Sequence, residues 1–326
     1  MSEPYRVCIY GAGGVGGYLA ARLAQNGVDV TVVARGEHLK TIQDSGLKLT
    51  SISGDFVASV KATEDPSEIG IVDLVIVASK SWQVEAIAPS IQPLLGRETI
   101  VVPTQNGIEA PERLGAVLGE EHVLGGYIRI QALVQGPGHI LHDGLDVAEF
   151  GTGLLPGSGS FCKRQLERMA QAFQGAIGLC LKVQEDVWMK MWRKILAICA
   201  YSGVCTASRG NIGDVVECDA SATLFQECLL ETHRVALASG VKLSEDEVEV
   251  VWKEFKGLAA ASPTNTPSLM RDMLAGRPSE LDDQLGAVVR AAGRARVEVP
   301  RVAALYAALM VQEQRNRRAA AAVPVR

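Results

Sequence analysis

Lys194 is the residue whose surroundings point most directly to proton transfer. It lies in the segment 185–203, which is predicted to be helical, and it enters the apolar run 195–200. Lys190 lies one helical turn earlier on the same face. A partly buried ammonium has a lowered pKa and can act as a general acid near neutral pH. The alternative is a lysine at a helix edge with its head in water, and Lys194 considered alone fits that better.

A glycine-rich turn near the N-terminus has the residue types that hold a dinucleotide. The run 6–10 leads directly into G-x-G-x-x-G, helix-forming residues follow, and a second apolar run occupies 28–34. The three glycines allow a tight turn, close approach of the backbone to a pyrophosphate, and close packing of helix on strand. Phosphates would bind N–H groups at the positive end of the helix dipole. An ordinary strand–turn–helix is the weaker alternative, and the predicted cofactor-binding residues are Gly11, Ala12, Gly13, Gly14, Val15 and Gly16.

Arg35 indicates which dinucleotide is bound. An acidic residue at the end of the second strand would accept a hydrogen bond from the ribose 2′-OH of NAD, but Ala34-Arg35 stands there instead. A guanidinium suits a 2′-phosphate, so NADPH is the predicted cofactor. The alternative is a solvated arginine on a loop.

Two further polar residues follow predicted parallel strands. Lys80 comes after the run 72–78, and Asn106 comes after the run 99–103. Ligands of open α/β sheets bind outside the carboxyl ends of the strands, so both residues are expected at the mouth that the glycine turn marks.

Composition narrows the class of protein. The chain has 326 residues, of which 48% are hydrophobic, and a formal net charge of -5. This length fits two domains, and the charge argues against nucleic-acid binding. No apolar run is long enough for a membrane span and no signal peptide is evident, so a cytoplasmic protein is expected. The seven cysteines form no C-x-x-C and the five histidines show no metal-ligand spacing, so no metal site is predicted.

The predicted fold class is α/β. An N-terminal Rossmann-type dinucleotide-binding domain, 1–184, precedes an all-helical C-terminal domain, 185–326. A β-hairpin is expected over 47–60. Residues 124–151 are expected to form short antiparallel strands that extend the sheet, with turns at 136–138 and at 143–144. The segment 315–326 is expected to be a frayed tail.

Two serines and a glutamate in the second half precede predicted helices. Ser268 and Ser279 could cap the helices that follow them, and Glu280 near a helix start is favoured by the dipole. Each residue therefore has a purely structural explanation.

The sequence resembles the ketopantoate reductase (2-dehydropantoate 2-reductase) family over nearly its whole length. The resemblance implies an NADPH-binding Rossmann domain, a helical domain, an active site in the cleft between them and a role in pantothenate biosynthesis. Besides the glycine turn, the ordered motifs are residues 32–36, 79–81, 105–107, 192–194, 267–272 and 276–282.

The resemblance also implies roles for individual residues. Lys194 matches the lysine that protonates the substrate carbonyl, and Glu280 matches a glutamate near the reacting centre. Asn106 and Lys80 match residues that line the cofactor and substrate mouth. The remaining implied contacts are the substrate carboxylate with Ser268, a substrate hydroxyl with Asn265, and the cofactor cleft with Ala132.

The chain departs from the family at two substrate positions. The family has asparagines four and eight residues after the catalytic lysine, where this chain has Ile198 and Ser202. Ser202 is kept among the predicted substrate-binding residues. Asn211 lies close to another family asparagine position but is out of register by one. Because a donor matched to a substrate group discriminates strongly, these departures bear on the identity of the substrate more than on the type of reaction.

Three functions follow in order of preference. The first is NADPH-dependent reduction of ketopantoate to (R)-pantoate, and the second is the same chemistry on a different, more apolar or bulkier 2-keto acid, which Ile198 favours. The third is a non-catalytic NADP(H)-binding regulator, against which Lys194 and Glu280 argue. The expected partner is a small 2-keto acid, and the helical domain could support a homodimer.

Overall fold

The computed structural model describes residues 4–322, apart from the side chains of residues 145 and 146. These residues form two compact units. The first contains the described residues up to Gln105 together with Glu109–Val187, and the second contains Asn106–Ile108 together with the described residues from Trp188 onward. The segment 106–108, which the sequence analysis includes in the first domain, therefore packs with the helical unit.

The first unit contains a five-stranded, fully parallel sheet in the order β5-β2-β1-β6-β7. Its central strands are nearly continuous apolar runs because both faces of a parallel sheet are buried. The predicted Rossmann-type fold is confirmed. The strands are β1 (Arg6–Tyr10), β2 (Asp29–Val33), β5 (Lys61–Thr63), β6 (Val72–Val77) and β7 (Leu95–Pro103).

The described residues of this unit form five α-helices. The helix that follows β1 is buried along most of its length, from Gly16 to Leu23. The helices are α1 (Gly14–Gln25), α2 (Gly36–Ser45), α3 (Val84–Ile91), α4 (Ala110–Leu118) and α5 (Cys162–Phe173).

A second sheet corrects the prediction for residues 124–151. The predicted hairpin forms between β3 (Leu47–Ser51) and β4 (Phe56–Ala58). The later residues do not extend the first sheet as short strands but form two long strands, β8 (Gly125–Gly136) and β9 (His139–Gly153), and β9 pairs parallel to β3 and to β10 (Leu179–Val183).

The predicted turn at residues 143–144 is absent. Gln131 pairs with Gly144 and Ala132 pairs with His142, so one extra residue is inserted in β9 at this point. A bulge takes up that residue and the strand continues, whereas the predicted turn at 136–138 does separate the two strands.

The second unit is helical, as predicted. A π-helical segment, Asp282–Gly286, interrupts the helix expected over 279–292. The helices are α6 (Val187–Ser208), α7 (Ile212–Glu217), α8 (Asp219–Ala238), α9 (Glu247–Ala261), α10 (Ser268–Leu274), α11 (Ala287–Ala295) and α12 (Pro300–Ala321).

The prediction of a frayed tail from residue 315 is wrong for the part of the tail that the structure describes. Helix α12 continues to Ala321. Asn316 is buried and its amide donates to the carbonyls of Met273 and Arg277. These contacts hold the last turns of α12, and residues 323–326 lie outside the described residues. Within residues 4–322, none of the helices combines the length and apolar character that crossing a bilayer requires.

Candidate active site

The glycine turn joins β1 to α1, and close backbone contacts at Gly11 and Gly16 shape it. Gly11 has φ +105°, and a Cβ there would lie 2.9 Å from the backbone nitrogen of Ser79. A Cβ on Gly16 would lie 1.9 Å from the carbonyl oxygen of Gly11. Contact this close leaves no room for any side chain, so α1 packs directly on the end of β1.

The turn is open on the side that a dinucleotide would occupy. A Cβ on Gly13 would have no atom within 4 Å, and no side chain caps the N-terminus of α1. The first N–H groups of a helix lack partners within the helix and favour anions. The turn therefore fits a pyrophosphate.

Ala132 lies beside this turn, where the resemblance implies that it lines the cofactor cleft. Its carbonyl oxygen would be 2.4 Å from a Cβ on Gly14. The backbone of β8 thus lies close to the first residue of α1, and both elements belong to the first unit.

Sequence reasoning missed His38, which supports the same turn. Its Nε2 donates to the carbonyl oxygen of Ala12 at 2.8 Å, and its Nδ1 accepts from the backbone N–H of Gly138 at 3.0 Å. The neutral tautomer with the proton on Nε2 satisfies both bonds. No local signal could have found this residue, because its partners lie 26 and 100 positions away.

Arg35 and Lys80 follow β2 and β6, at the same edge of the sheet as the glycine turn. Arg35 is the residue before α2; 70% of its side chain is exposed, and its Nε lies 3.9 Å from Glu64. Lys80 is also exposed, and its Nζ lies 5.7 Å from the ring centroid of Trp82. Both cations thus lie in the first unit, shortly after the two strands that flank β1.

Asn106 and Glu280 meet in the second unit. The amide nitrogen of Asn106 donates to Oε2 of Glu280 at 2.9 Å across 174 positions of sequence, and Glu280 is 9% exposed. Gly107 has φ +134°, and a Cβ there would lie 2.5 Å from the carbonyl oxygen of Asp283. Residues 106–108 of the second unit therefore lie directly against the π-helical segment that follows Glu280.

Helix α6 carries Lys194, Ile198 and Ser202 at successive four-residue spacings, hence on one face. Lys194 and Ile198 are half-buried, and Ser202 is 3% exposed. The neighbouring Arg193 points to a different partner, since it pairs with Glu247 at 2.6 Å and Glu254 at 2.7 Å.

Asn265 is held by a residue that the sequence analysis did not single out. The Tyr201 hydroxyl donates to Oδ1 of Asn265, and burial raises the pKa of the Tyr201 phenol, so it remains a donor. With its oxygen engaged, the Asn265 amide presents its N–H₂ group as a donor. Tyr201 lies seven positions after Lys194, two helical turns along α6, and that spacing was the available signal.

Two further polar residues named from the sequence, Ser268 and Asn211, lie at the N-terminal ends of helices. Ser268 is exposed and is the first residue of α10, whose N-cap is Pro267, so the predicted capping role of Ser268 is wrong. Asn211 caps α7 by accepting from the backbone N–H of Asp214 at 2.9 Å. Within residues 4–322, His, Cys, Asp and Glu side chains form no group of three or more that could hold a metal ion.

The parallel sheet with its glycine turn, together with the helical unit that carries a lysine and a buried glutamate, defines a dinucleotide-dependent oxidoreductase. Family models for ketopantoate reductase PanE/ApbA and for its C-terminal domain match residues 7–153 and 186–313. The chain belongs to this family and is an oxidoreductase.

Individual relatives agree with the family assignment. The chain is 28% identical to the uncharacterized oxidoreductase YkpB of Bacillus subtilis, over 94% of this chain and 98% of that protein. It is 29% identical to 2-dehydropantoate 2-reductase of Mesorhizobium japonicum, over 87% and 90% of the two chains. A crystal structure of a PanE/ApbA family ketopantoate reductase from Ralstonia eutropha superposes with a TM-score of 0.84 at 28% identity, covering 96% and 99%.

Proposed function

We propose that this protein reduces a 2-keto acid to the 2-hydroxy acid with NADPH, and that the substrate is ketopantoate and the product (R)-pantoate. The family assignment and the relatives named as 2-dehydropantoate 2-reductases support the proposal. The observation that carries it is Lys194 on a half-buried helix face of the same unit as the Asn106–Glu280 pair. This reaction belongs to pantothenate biosynthesis.

The proposed chemistry needs an acid and an oriented carboxylate. NADPH, when bound, supplies a hydride to the carbonyl carbon, which leaves negative charge on the carbonyl oxygen. The Lys194 ammonium stabilises that charge and donates a proton to the oxygen. Glu280, fixed by the Asn106 amide, orients groups near the reacting carbon, and Asn265 donates to a substrate hydroxyl while Ser268 receives the substrate carboxylate.

NADPH is proposed over NADH on the strength of Arg35. Its largely exposed guanidinium follows β2, where a ribose 2′-phosphate would need a cation, and no carboxylate occupies that position. Lys80 adds a second positive charge at the same edge of the sheet.

A different 2-keto acid is the second candidate, and Ile198 is the specific observation that favours it. Ile198 presents an apolar side chain one turn beyond Lys194, where the resemblance expects an amide. An apolar surface cannot hydrogen-bond the carboxylate or hydroxyl of ketopantoate, but it can bury an alkyl or aryl group.

The test is oxidation of NADPH, followed by its absorbance, against ketopantoate, 2-oxoisovalerate, phenylglyoxylate and pyruvate. The highest kcat/KM with ketopantoate supports the first candidate, and a preference for an alkyl or aryl keto acid supports the second. Ile198→Asn should then shift the preference toward ketopantoate, whereas Ala197→Asn, on the neighbouring face, should not. Absence of turnover with every 2-keto acid would contradict both.

A further inference from the structure

A buried carboxylate on α12 holds the residue that precedes Glu280. Glu313 is 0% exposed, and its oxygens accept from the backbone N–H of Ser279 at 3.0 and 3.1 Å and from the Ser279 hydroxyl at 2.6 Å. Arg317 lies one turn further along α12. It donates through Nε to Glu313 and through a terminal nitrogen to the carbonyl oxygen of Ser279 at 3.2 Å.

These contacts hold Ser279 from both sides. Its N–H is bound by Glu313 and its C=O by Arg317, and that carbonyl belongs to the peptide bond that leads into Glu280. The direction in which the chain enters Glu280 is therefore set by α12. At its other end, the Glu280 carboxylate is bound by the Asn106 amide.

Stability alone is a poor reason for this arrangement. The Glu313 carboxylate is fully buried while 35% of the Arg317 side chain is exposed, and the cost of removing the carboxylate from water offsets much of the attraction between the two charges. The pair does fix geometry, because the buried Glu313 carboxylate depends on the Arg317 cation and on the Ser279 donors for its compensation.

We propose that Glu313, together with Arg317, is a positioning residue that fixes the Glu280 carboxylate for ketone reduction. This inference rests on the proposed function, in which Glu280 acts near the reacting carbon. Glu313 itself touches neither substrate nor cofactor in this scheme and acts only through Ser279 and Glu280.

The chain supplies a matched control on α8, where the Glu231 carboxylate binds the first turn of α12. Glu231 is also 0% exposed, accepts from the backbone N–H groups of Arg301 and Val302, and lies 3.5 Å from the Arg301 guanidinium. Its burial and its set of donors thus resemble those of Glu313. Glu231→Gln reports what the loss of a buried carboxylate does to the fold without changing the contacts of Ser279.

The experiment compares Glu313→Gln, Glu231→Gln and the milder Ser279→Ala. Glu313→Gln should lower kcat about tenfold or more, with the Kd for NADPH changed less than about twofold. Ser279→Ala, which removes one hydroxyl, should lower kcat about threefold. Glu231→Gln should change kcat less than about twofold even where its Tm falls as far as that of Glu313→Gln.

A double variant separates positioning from general destabilisation. In the Glu280→Gln background, Glu313→Gln should lower kcat by no more than about twofold, because the group that it positions is already gone. Effects that multiply in the double variant, or equal losses for Glu313→Gln and Glu231→Gln, would overturn the inference.

Crystal structures of the two glutamine variants give a readout that does not depend on activity. The Asn106–Glu280 hydrogen bond should be broken in Glu313→Gln and kept in Glu231→Gln. If the wild-type protein reduces no 2-keto acid, the proposed function fails, yet this comparison still decides whether Glu313 positions Glu280. A hydrogen bond retained in Glu313→Gln would refute that role.

Discussion

The glycine turn consists of backbone groups, whereas the surroundings of Glu280 consist of side chains. The turn offers backbone N–H groups, and its shape comes from close contacts such as that between Gly16 and the carbonyl of Gly11. The Glu280 region offers side chains, and three separate segments of chain bring Asn106, Glu280 and Glu313 together.

Because of this difference, different substitutions should abolish the function of each region. A site of backbone groups fails when an added atom fills the space that the ligand or a neighbouring backbone needs. A site of side chains fails when one partner is removed, even though the fold remains. Substitutions that separate binding from chemistry therefore test the comparison.

The largest effect is expected for Lys194→Ala. Loss of a general acid lowers turnover about 10²- to 10⁴-fold, so kcat should fall within that range. Binding of NADPH, measured by fluorescence titration, should change less than about twofold, because the backbone of the glycine turn is untouched. Lys190→Ala removes the same charge one turn earlier and should leave kcat within about threefold. A Lys194→Ala variant that keeps a tenth of wild-type kcat would not be compatible with the proposed acid.

Two alanine substitutions within the glycine turn should have opposite signatures. Gly13→Ala adds a methyl group in open space, so Tm should be preserved, while the Kd for NADPH should rise about 10- to 100-fold through loss of pyrophosphate hydrogen bonds. Gly16→Ala places a methyl group against the Gly11 carbonyl, and overpacking of this kind costs about 1–3 kcal/mol of folding stability. Melting curves and NADPH titrations measured on both variants check this, and equal Tm losses would contradict it.

A smaller effect is expected for Arg35→Ala. Loss of a charge-assisted contact at an exposed site should raise the Kd for NADPH about tenfold and leave that for NADH nearly unchanged. Lys61→Ala removes an exposed cation at the amino end of β5, the opposite edge of the sheet, and serves as the charge control. Equal weakening of both cofactors in Arg35→Ala would argue against the NADPH assignment.

The smallest effect is expected on the stability of the folded protein at alkaline pH. It depends on Tyr306, whose hydroxyl binds Asp282 in the segment after Glu280. Burial, and then the hydrogen bond to the Asp282 carboxylate, raise the pKa of Tyr306 to about 12. The raised pKa means that the Tyr306 phenol keeps its proton to a higher pH in the folded state than in the unfolded chain, where a tyrosine titrates at about 10. The resulting stabilisation is complete below that pH and is lost as pH rises toward 12.

Tyr306→Phe should consequently flatten the fall of Tm between pH 10 and 12 relative to wild type. Between pH 7 and 9, where the phenol is neutral in both states, the two curves should run parallel. Parallel curves over the whole range would show that Tyr306 does not contribute to the alkaline loss.

Patterns within short segments were predicted well. The apolar run followed by G-x-G-x-x-G predicted β1, the turn and α1, and the change to helical spacing after residue 184 predicted the helical unit. Residues 124–151 were predicted poorly, because a bulge in β9 and its pairing with β3 depend on partners distant in sequence. The described end of α12 was missed for a related reason, since Asn316 is held by carbonyls about 40 positions away.

By itself the sequence determined the strand–turn–helix order around the glycine turn, because G-x-G-x-x-G and the runs on either side of it are contiguous in sequence. It also determined the periodic face of α6 that carries Lys194, because helix geometry alone sets that spacing. Only the tertiary structure decided that Asn106 would meet Glu280, that Tyr201 would hold Asn265 and that Glu313 would clamp Ser279. Each of these pairs joins side chains on different elements, and such contacts depend on how the elements pack and not on local propensity.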